Sequence, residues 1–250
     1  MRLREQADLD ALLATLVALS ATEPETPVLV VDDASAPEPG RVAEAAAAEL
    51  GQAFVTQEDG SGHAAAVNVG LEVAAANGMD AALVRPGVEP LRPGWIARLR
   101  ARTDTKGRPA AVVGGTVLYR DDLVRHAGYY FSLFRRAWAV RFRNAPHDVP
   151  ELAEPCLCPV GDELQLIRHA CLEAVGLYDA RFEAGSGDID YCLRAVEAGL
   201  ETVHEPAVRA RCQEEAQPPR KADDATAAAV SLLRAKHGHT DFGRWVPEVL

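Results

Sequence analysis

Two acidic groups in the sequence have the residue types and spacing for chemistry. The first is Asp32 and Asp33, which follow the apolar run Val28 to Val31 and precede Ser35. Ionised carboxylates accept hydrogen bonds only, so a pair at a strand end suits the hydroxyls or imide N–H groups of a nucleotide. The same residues also suit a turn with a helix cap, because Asp and Ser are favoured there for local reasons. The second group is Asp188 and Asp190 in GSGDIDYCLRAVEAG, at a helix start after two glycines. Negative charge is favourable at a helix N-terminus, so capping accounts for one aspartate and leaves the other free to act as a base.

Elements of alternating type must position these groups. Leu9, Leu12, Leu13, Leu16 and Leu19 recur three and four residues apart, which predicts a helix with one apolar face. VLVV reads as a parallel strand buried on both faces, with its carboxyl end at Asp32. A helix over 41–50, a strand over 53–56, a helix over 63–76 and a strand over 80–84 follow, then a helix over 95–102 and the strand AAVVGGTVLY. This βαβα rhythm predicts an α/β fold built on an open, mostly parallel, twisted sheet that binds ligands at its strand ends. Residues 121–159 read as a less regular substrate-side region. Helices over 168–175, 189–199 and 222–236 complete the chain, before a tail without periodicity.

Composition excludes several roles. With 26 Lys and Arg against 37 Asp and Glu, the net charge of −11 repels phosphate backbones and anionic headgroups, so no nucleic-acid partner is expected. No apolar run reaches the ~20 residues of a spanning helix, and MRLREQADLD lacks the apolar stretch of a signal peptide, so a cytoplasmic location is expected. Five cysteines without CxxC spacing read as reduced thiols. Cys156 and Cys158 flank one residue and point to one face, as buried thiols. His237 and His239 read as a solvated turn rather than metal ligands. Tyr129, Tyr130, Phe131, Phe134 and Trp138 have partly helical spacing and read as core, with a sugar-stacking or partner patch as the alternative.

The order of segments carries a resemblance. VLVVDDAS, NVGLEVAAANG, DAALVRPGVEPLRPGWIARL, AVVGG and VGLYDARFEAGSGDIDYCLRAVEAGLETVHEP together resemble the family 2 glycosyltransferases of the GT-A fold, from about Leu9 to Pro206. The resemblance implies a Rossmann-like α/β domain over 1–220, with a nucleotide-binding half over 1–120, an acceptor half over 121–220 and a C-terminal helix and tail over 221–250. It assigns donor binding to Asp33, with Asp32 beside it, and to Asn68. It makes Asp188 the base in a transfer with inversion at the sugar, with Asp190 and Arg194 on the acceptor side. The implied partners are a nucleotide-diphosphate sugar and a glycan, lipid-linked or small-molecule acceptor.

Three departures fall on the donor half. Where the family carries an Asp-x-Asp or Asn-x-Asp, whose last Asp binds a divalent metal, this chain has Arg85, Pro86 and Gly87. Cys212 stands where the family has a metal-binding His. No tightly bound metal cofactor is therefore expected, and Arg85, with Arg92, could offset diphosphate charge instead. Only MRLREQ precedes the first helix, where the family has an apolar strand. That central strand is replaced either by a stub at Met1 to Leu3, by another segment, or by a homo-oligomer or partner chain completing the sheet. An inactive homologue serving binding or assembly is the alternative to an enzyme.

Overall fold

The computed structural model describes residues 3, 5–57, 60–183, 185–216, 224–238, 240 and 242–245. It opens with α1 (Gln6–Thr22), β1 (Leu29–Asp33), α2 (Pro37–Glu49), β2 (Ala53–Gln57) and α3 (His63–Ala76). Next come β3 (Ala81–Val84), β4 (Val88–Pro90), α4 (Trp95–Ala101), β5 (Val112–Leu118) and β6 (Val124–His126). Then follow the hairpin β7 (Tyr129–Ser132) and β8 (Ala137–Val140), β9 (Cys156–Leu157), β10 (Leu164–Ile167), α5 (His169–Val175), α6 (Gly187–Glu197), β11 (Thr202–Cys212) and α7 (Asp224–His237). Residues 222 and 223, expected to open α7, lie outside the described residues, as do Met1, Arg2 and His239.

A seven-stranded sheet has the order β3-β10-β5-β11-β4, with β6 on β5 and β9 on β11. β11 runs parallel to β5, and β10 lies antiparallel between β3 and β5, so β3, β5 and β11 share one direction. Alternation along β5 decides the two cores. Val112 faces a cluster with Leu71, Ile167, Cys171, Leu193 and Leu233, while Val113 faces Leu19, Trp95, Leu99 and Leu166 on the other side. Helices thus cover both faces, as the expected α/β class requires. Gly114 and Gly115 let other elements approach β5: a Cβ would come 2.6 Å from the Val160 side chain at the first and 2.6 Å from that of Leu164 at the second.

β1 and β2 form a separate parallel pair, and among the described residues no ladder joins them to β3. A helix makes the joint instead. Leu9, Leu12 and Leu16 of α1 pack on Val30, Ala43 and Ala47, while its backbone meets the larger sheet where Gly87 N donates to Ala11 O at 3.0 Å and to Thr15 Oγ1 at 2.8 Å. Leu3, 1% exposed, is tied to the end of β1: its N–H donates to Ser35 Oγ at 2.6 Å, and Ala36 N donates to its carbonyl at 2.9 Å.

Other expectations need correction. α2 begins at Pro37 rather than Arg41, because proline suits the first helical position, where no N–H partner is required. The aromatic run is a hairpin, since its β-branched and aromatic residues pair across strands, Phe131 opposite Trp138. His237 is buried, with Nε2 2.8 Å from Asp190 and Nδ1 2.9 Å from Glu197, rather than in a solvated turn.

Candidate functional site

The two aspartates that end β1 have different surroundings. Asp32 accepts from the hydroxyl and, at 3.4 Å, the N–H of Ser35, which is a local turn leading into α2. Asp33 reaches across to the next loop, where its Oδ1 accepts the Gly62 N–H at 3.3 Å. Gly62 has φ +91° and leads into α3, and a Cβ there would lie 3.4 Å from Glu183 in the loop before α6. The loop before α3 and the loop before α6 therefore lie against each other.

Strand register builds the centre of the site. Leu164 of β10 pairs with Val84 of β3, so the residues just before β10 meet those just after β3, and Arg85 N donates to Glu163 O at 3.1 Å. The same register puts the Arg85 guanidinium 2.6 Å from Asp162, and His63, which opens α3, places Nε2 2.5 Å from the other Asp162 oxygen. Burial alone would raise the Asp162 pKa, but Arg85 and His63 bring it well below the usual carboxylate range. Arg85 is raised although burial opposes its charge, because Asp162, Glu163 and Asp188 surround it. The Arg85 side chain stays 38% exposed.

Asp188 sits in the first turn of α6, 5% exposed, and its Oδ2 accepts the Tyr129 hydroxyl at 2.7 Å. Burial, then the neighbouring charge of Asp162, push its pKa up to about 6. Burial and Asp188 raise Tyr129 well above the ordinary tyrosine value, so Tyr129 remains a donor. The edge of His126 packs on Tyr129 with ring centroids 4.6 Å apart, and burial lowers His126 to about 4. Such a group of a raised carboxylate, a fixed donor and an adjacent cation can accept a proton beside developing negative charge.

Other expected site residues lie elsewhere. Asn68 spends both ends of its amide on the Tyr178 backbone, donating to O at 2.9 Å and accepting from N at 2.8 Å, so it fixes a loop rather than facing a donor. Asp190 and Arg194 lie in a buried network between α6 and α7. Asp190 is fully buried between Arg194 at 2.8 Å, Lys236 at 2.7 Å and His237 at 2.8 Å, while Arg194 donates to the carbonyls of Val175 and Leu177. Positions 188 and 190 lie about 200° apart around a helix, which sends one carboxylate towards Tyr129 and the other towards α7.

Gly87 and Cys212, the two positions where the resemblance expects metal ligands, do come together. Cys212 pairs with Val88, and Gln213 N donates to Gly87 O at 3.2 Å. They line a cavity of about 200 Å³ with Arg85, Arg125, Glu163 and Glu214. Two of the lining carboxylates, Glu163 and Glu214, share Arg125 at 2.9 and 2.6 Å, and Asp162 beside them holds Arg85, while a third lining carboxylate, Asp8, accepts the Glu5 N–H at 3.1 Å. Asp162, Glu163, Arg125 and His63 escaped the sequence reading, although the pair in VGDELQLI directly before a buried strand was the available signal.

The architecture is that of the GT-A glycosyltransferases. No family model matches the chain, and no curated protein matches its sequence. Solved structures match with probability 1.00: GalNAc-T7 with UDP, GalNAc and Mn²⁺ at TM-score 0.66 and 15% identity, over 90% of this chain and 45% of that one. The mannosyltransferase PcManGT from Pyrobaculum calidifontis, in complex with GDP-Man and Mn²⁺, matches at TM-score 0.56 and 17% identity over 95% of this chain and 68% of its own. S. aureus TarS 1–349 with UDP matches at TM-score 0.57 and 13% identity, over 96% and 65%. The chain thus spans less than half of the GalNAc-T7 chain. Among the described residues no helix is long and apolar enough to cross a membrane.

Proposed function

We propose that the chain is an inverting glycosyltransferase of the family 2 type, which transfers a sugar from a nucleoside-diphosphate donor to an acceptor hydroxyl. The observation that carries this reading is Asp188, a buried carboxylate with its pKa raised to about 6 beside the Asp162–Arg85 pair at the strand ends. A base of that strength is mostly ionised at neutral pH and still binds a proton well. Asp188 takes the acceptor proton as the acceptor oxygen attacks the anomeric carbon. The bond from that carbon to the diphosphate oxygen breaks, and the nucleoside diphosphate leaves with the electron pair. Asp33 lies towards the nucleotide, and Arg85 meets the leaving diphosphate without a tightly held metal. The acceptor is a glycan, a lipid-linked species or a small molecule.

One observation favours the second reading, an inactive homologue used for binding or assembly: Asp162 already balances Arg85 at 2.6 Å. Calorimetric titration with UDP and GDP, with and without Mn²⁺, separates the two. The enzyme reading expects binding that Mn²⁺ does not improve and that Asp33→Ala weakens at least about tenfold, a loss of one charge-assisted hydrogen bond. Absence of nucleotide binding under both conditions favours the inactive homologue.

A further inference from the structure

The turn joining β7 to β8 presents Leu133, Phe134, Arg135 and Arg136 to solvent. Phe134 is 93% exposed and Leu133 60%, the former the highest value among the exposed large apolar side chains of the described residues. Isolated apolar side chains on a surface are ordinary, but two in succession at a hairpin apex stand clear of the body that could have covered them. The hairpin is braced for this position. Its four cross-strand pairs close at Ser132 opposite Ala137, and in the pair next to that closure Phe131 and Trp138 pack on Phe242, with Trp245 against Trp138.

Charge is segregated in the same segment. Residues 123–147 hold five arginines and no Asp or Glu, in a chain of net charge −11. Arg125 is consumed by Glu163 and Glu214, but Arg135, Arg136 and Arg143 are exposed and have no acidic partner among the described residues. The acidic remainder of the surface is screened beyond about 10 Å at ordinary salt, so the local charge decides what approaches the tip.

We propose that this hairpin tip is an interfacial docking element for an anionic lipid surface. Phe134 and Leu133 enter the boundary between headgroups and acyl chains, and Arg135 and Arg136 bind lipid phosphates, for which the planar guanidinium is well shaped. A second copy of the chain is the poorer occupant, because a hairpin apex cannot supply the roughly 800 Å² per partner of a stable interface. Docking of this kind is independent of sugar transfer. On the reading proposed above, it also has a use: Tyr129, the first residue of β7, touches Asp188, and three strand steps of about 3.3 Å each lead from it to Ser132. An acceptor held in the lipid surface would then lie near the candidate base.

Co-sedimentation of the full chain with vesicles of phosphatidylcholine alone, or of phosphatidylcholine mixed with phosphatidylglycerol, tests the proposal. Binding is expected to the mixed vesicles only and to weaken with added salt. Arg135→Gln and Arg136→Gln should each weaken it about fivefold, and Phe134→Ser at least about tenfold. All three positions are exposed, so melting temperatures should match the wild type, and binding lost without unfolding is then attributable to the tip. The proposal is overturned if the wild type ignores the mixed vesicles, or if Phe134→Ser binds them as the wild type does. It is equally overturned if sedimentation velocity shows a Phe134-dependent dimer without vesicle binding.

Discussion

Asp188→Asn should make the protein more stable at neutral pH. The Asp188 pKa is raised from 3.8 to about 6, with burial as the first cause and the charge of Asp162 as the second. A shift of about two units corresponds to roughly 3 kcal/mol between the two protonation states. Because the folded value lies above the unfolded one, the group stabilises the fold only while it is protonated, below about pH 4. That contribution is lost as pH rises through about 6. Asparagine is neutral throughout and still accepts the Tyr129 hydrogen bond. The variant should therefore match the wild type near pH 4 and exceed it by up to about 3 kcal/mol at pH 7, or roughly 6–12 °C in melting temperature for a chain of this length. Urea unfolding at a series of pH values reads the difference directly and requires neither donor nor acceptor. A variant less stable than the wild type at pH 7, or a difference that does not change with pH, would refute the account of Asp188 as a buried carboxylate held against its preference. If the enzyme reading holds, the same substitution lowers turnover by about 10²- to 10⁴-fold, so stability and activity move in opposite directions.

Asp190 should behave in the opposite way. Asp190→Ala leaves Arg194, Lys236 and His237 without their shared buried carboxylate and should cost about 3–5 kcal/mol at pH 7 by urea unfolding. The buried ring of His126, lowered to about 4, gives a pH effect of its own. The unfolded chain binds a proton there from about pH 6.5 and the folded chain does not, so stability is present above 6.5 and falls as pH drops towards 4. His126→Gln should remove about 3 kcal/mol of that dependence, measured as the change in urea midpoint between pH 7 and pH 4.

The elements that position the site were legible because apolar periodicity reports burial, and burial is what fixed α1, β1, α3, β3, β5 and α6. The same reasoning misread the 129–138 run, since a cross-strand aromatic pair and a helical one look alike over so few residues. It set Asp188 apart from Asp190, since capping accounts for only one of the two, and the resemblance gave Asp190 and Arg194 to the acceptor side. What lies against α6 on that side is His237 and Lys236, some 47 residues later in the chain, which no local pattern can reveal. Asp162 was missed for a related reason: its pairing with Arg85 depends on the register of β10 against β3, and His63 joins it from the start of α3. Asn68 illustrates the limit of motif matching, because a matched position does not tell which atoms its amide will meet.

The break between β1 and β3 bears on how the molecule can come apart. Cooperative unfolding in an α/β protein is enforced largely by a continuous hydrogen-bonded ladder, through which opening one strand strips the next. Here β1, β2 and α2 share an apolar cluster with α1 and meet the rest of the protein through the middle of α1 and through α3 rather than through a ladder among the described residues. The segment that carries Asp33 is expected to open at a lower free energy than the seven-stranded sheet that carries Asp162, which faster amide hydrogen exchange in β1 than in β5 would register. Asp33 and Asp188 then belong to units of unequal local stability, and the donor half of the cleft can be remade without disturbing the base.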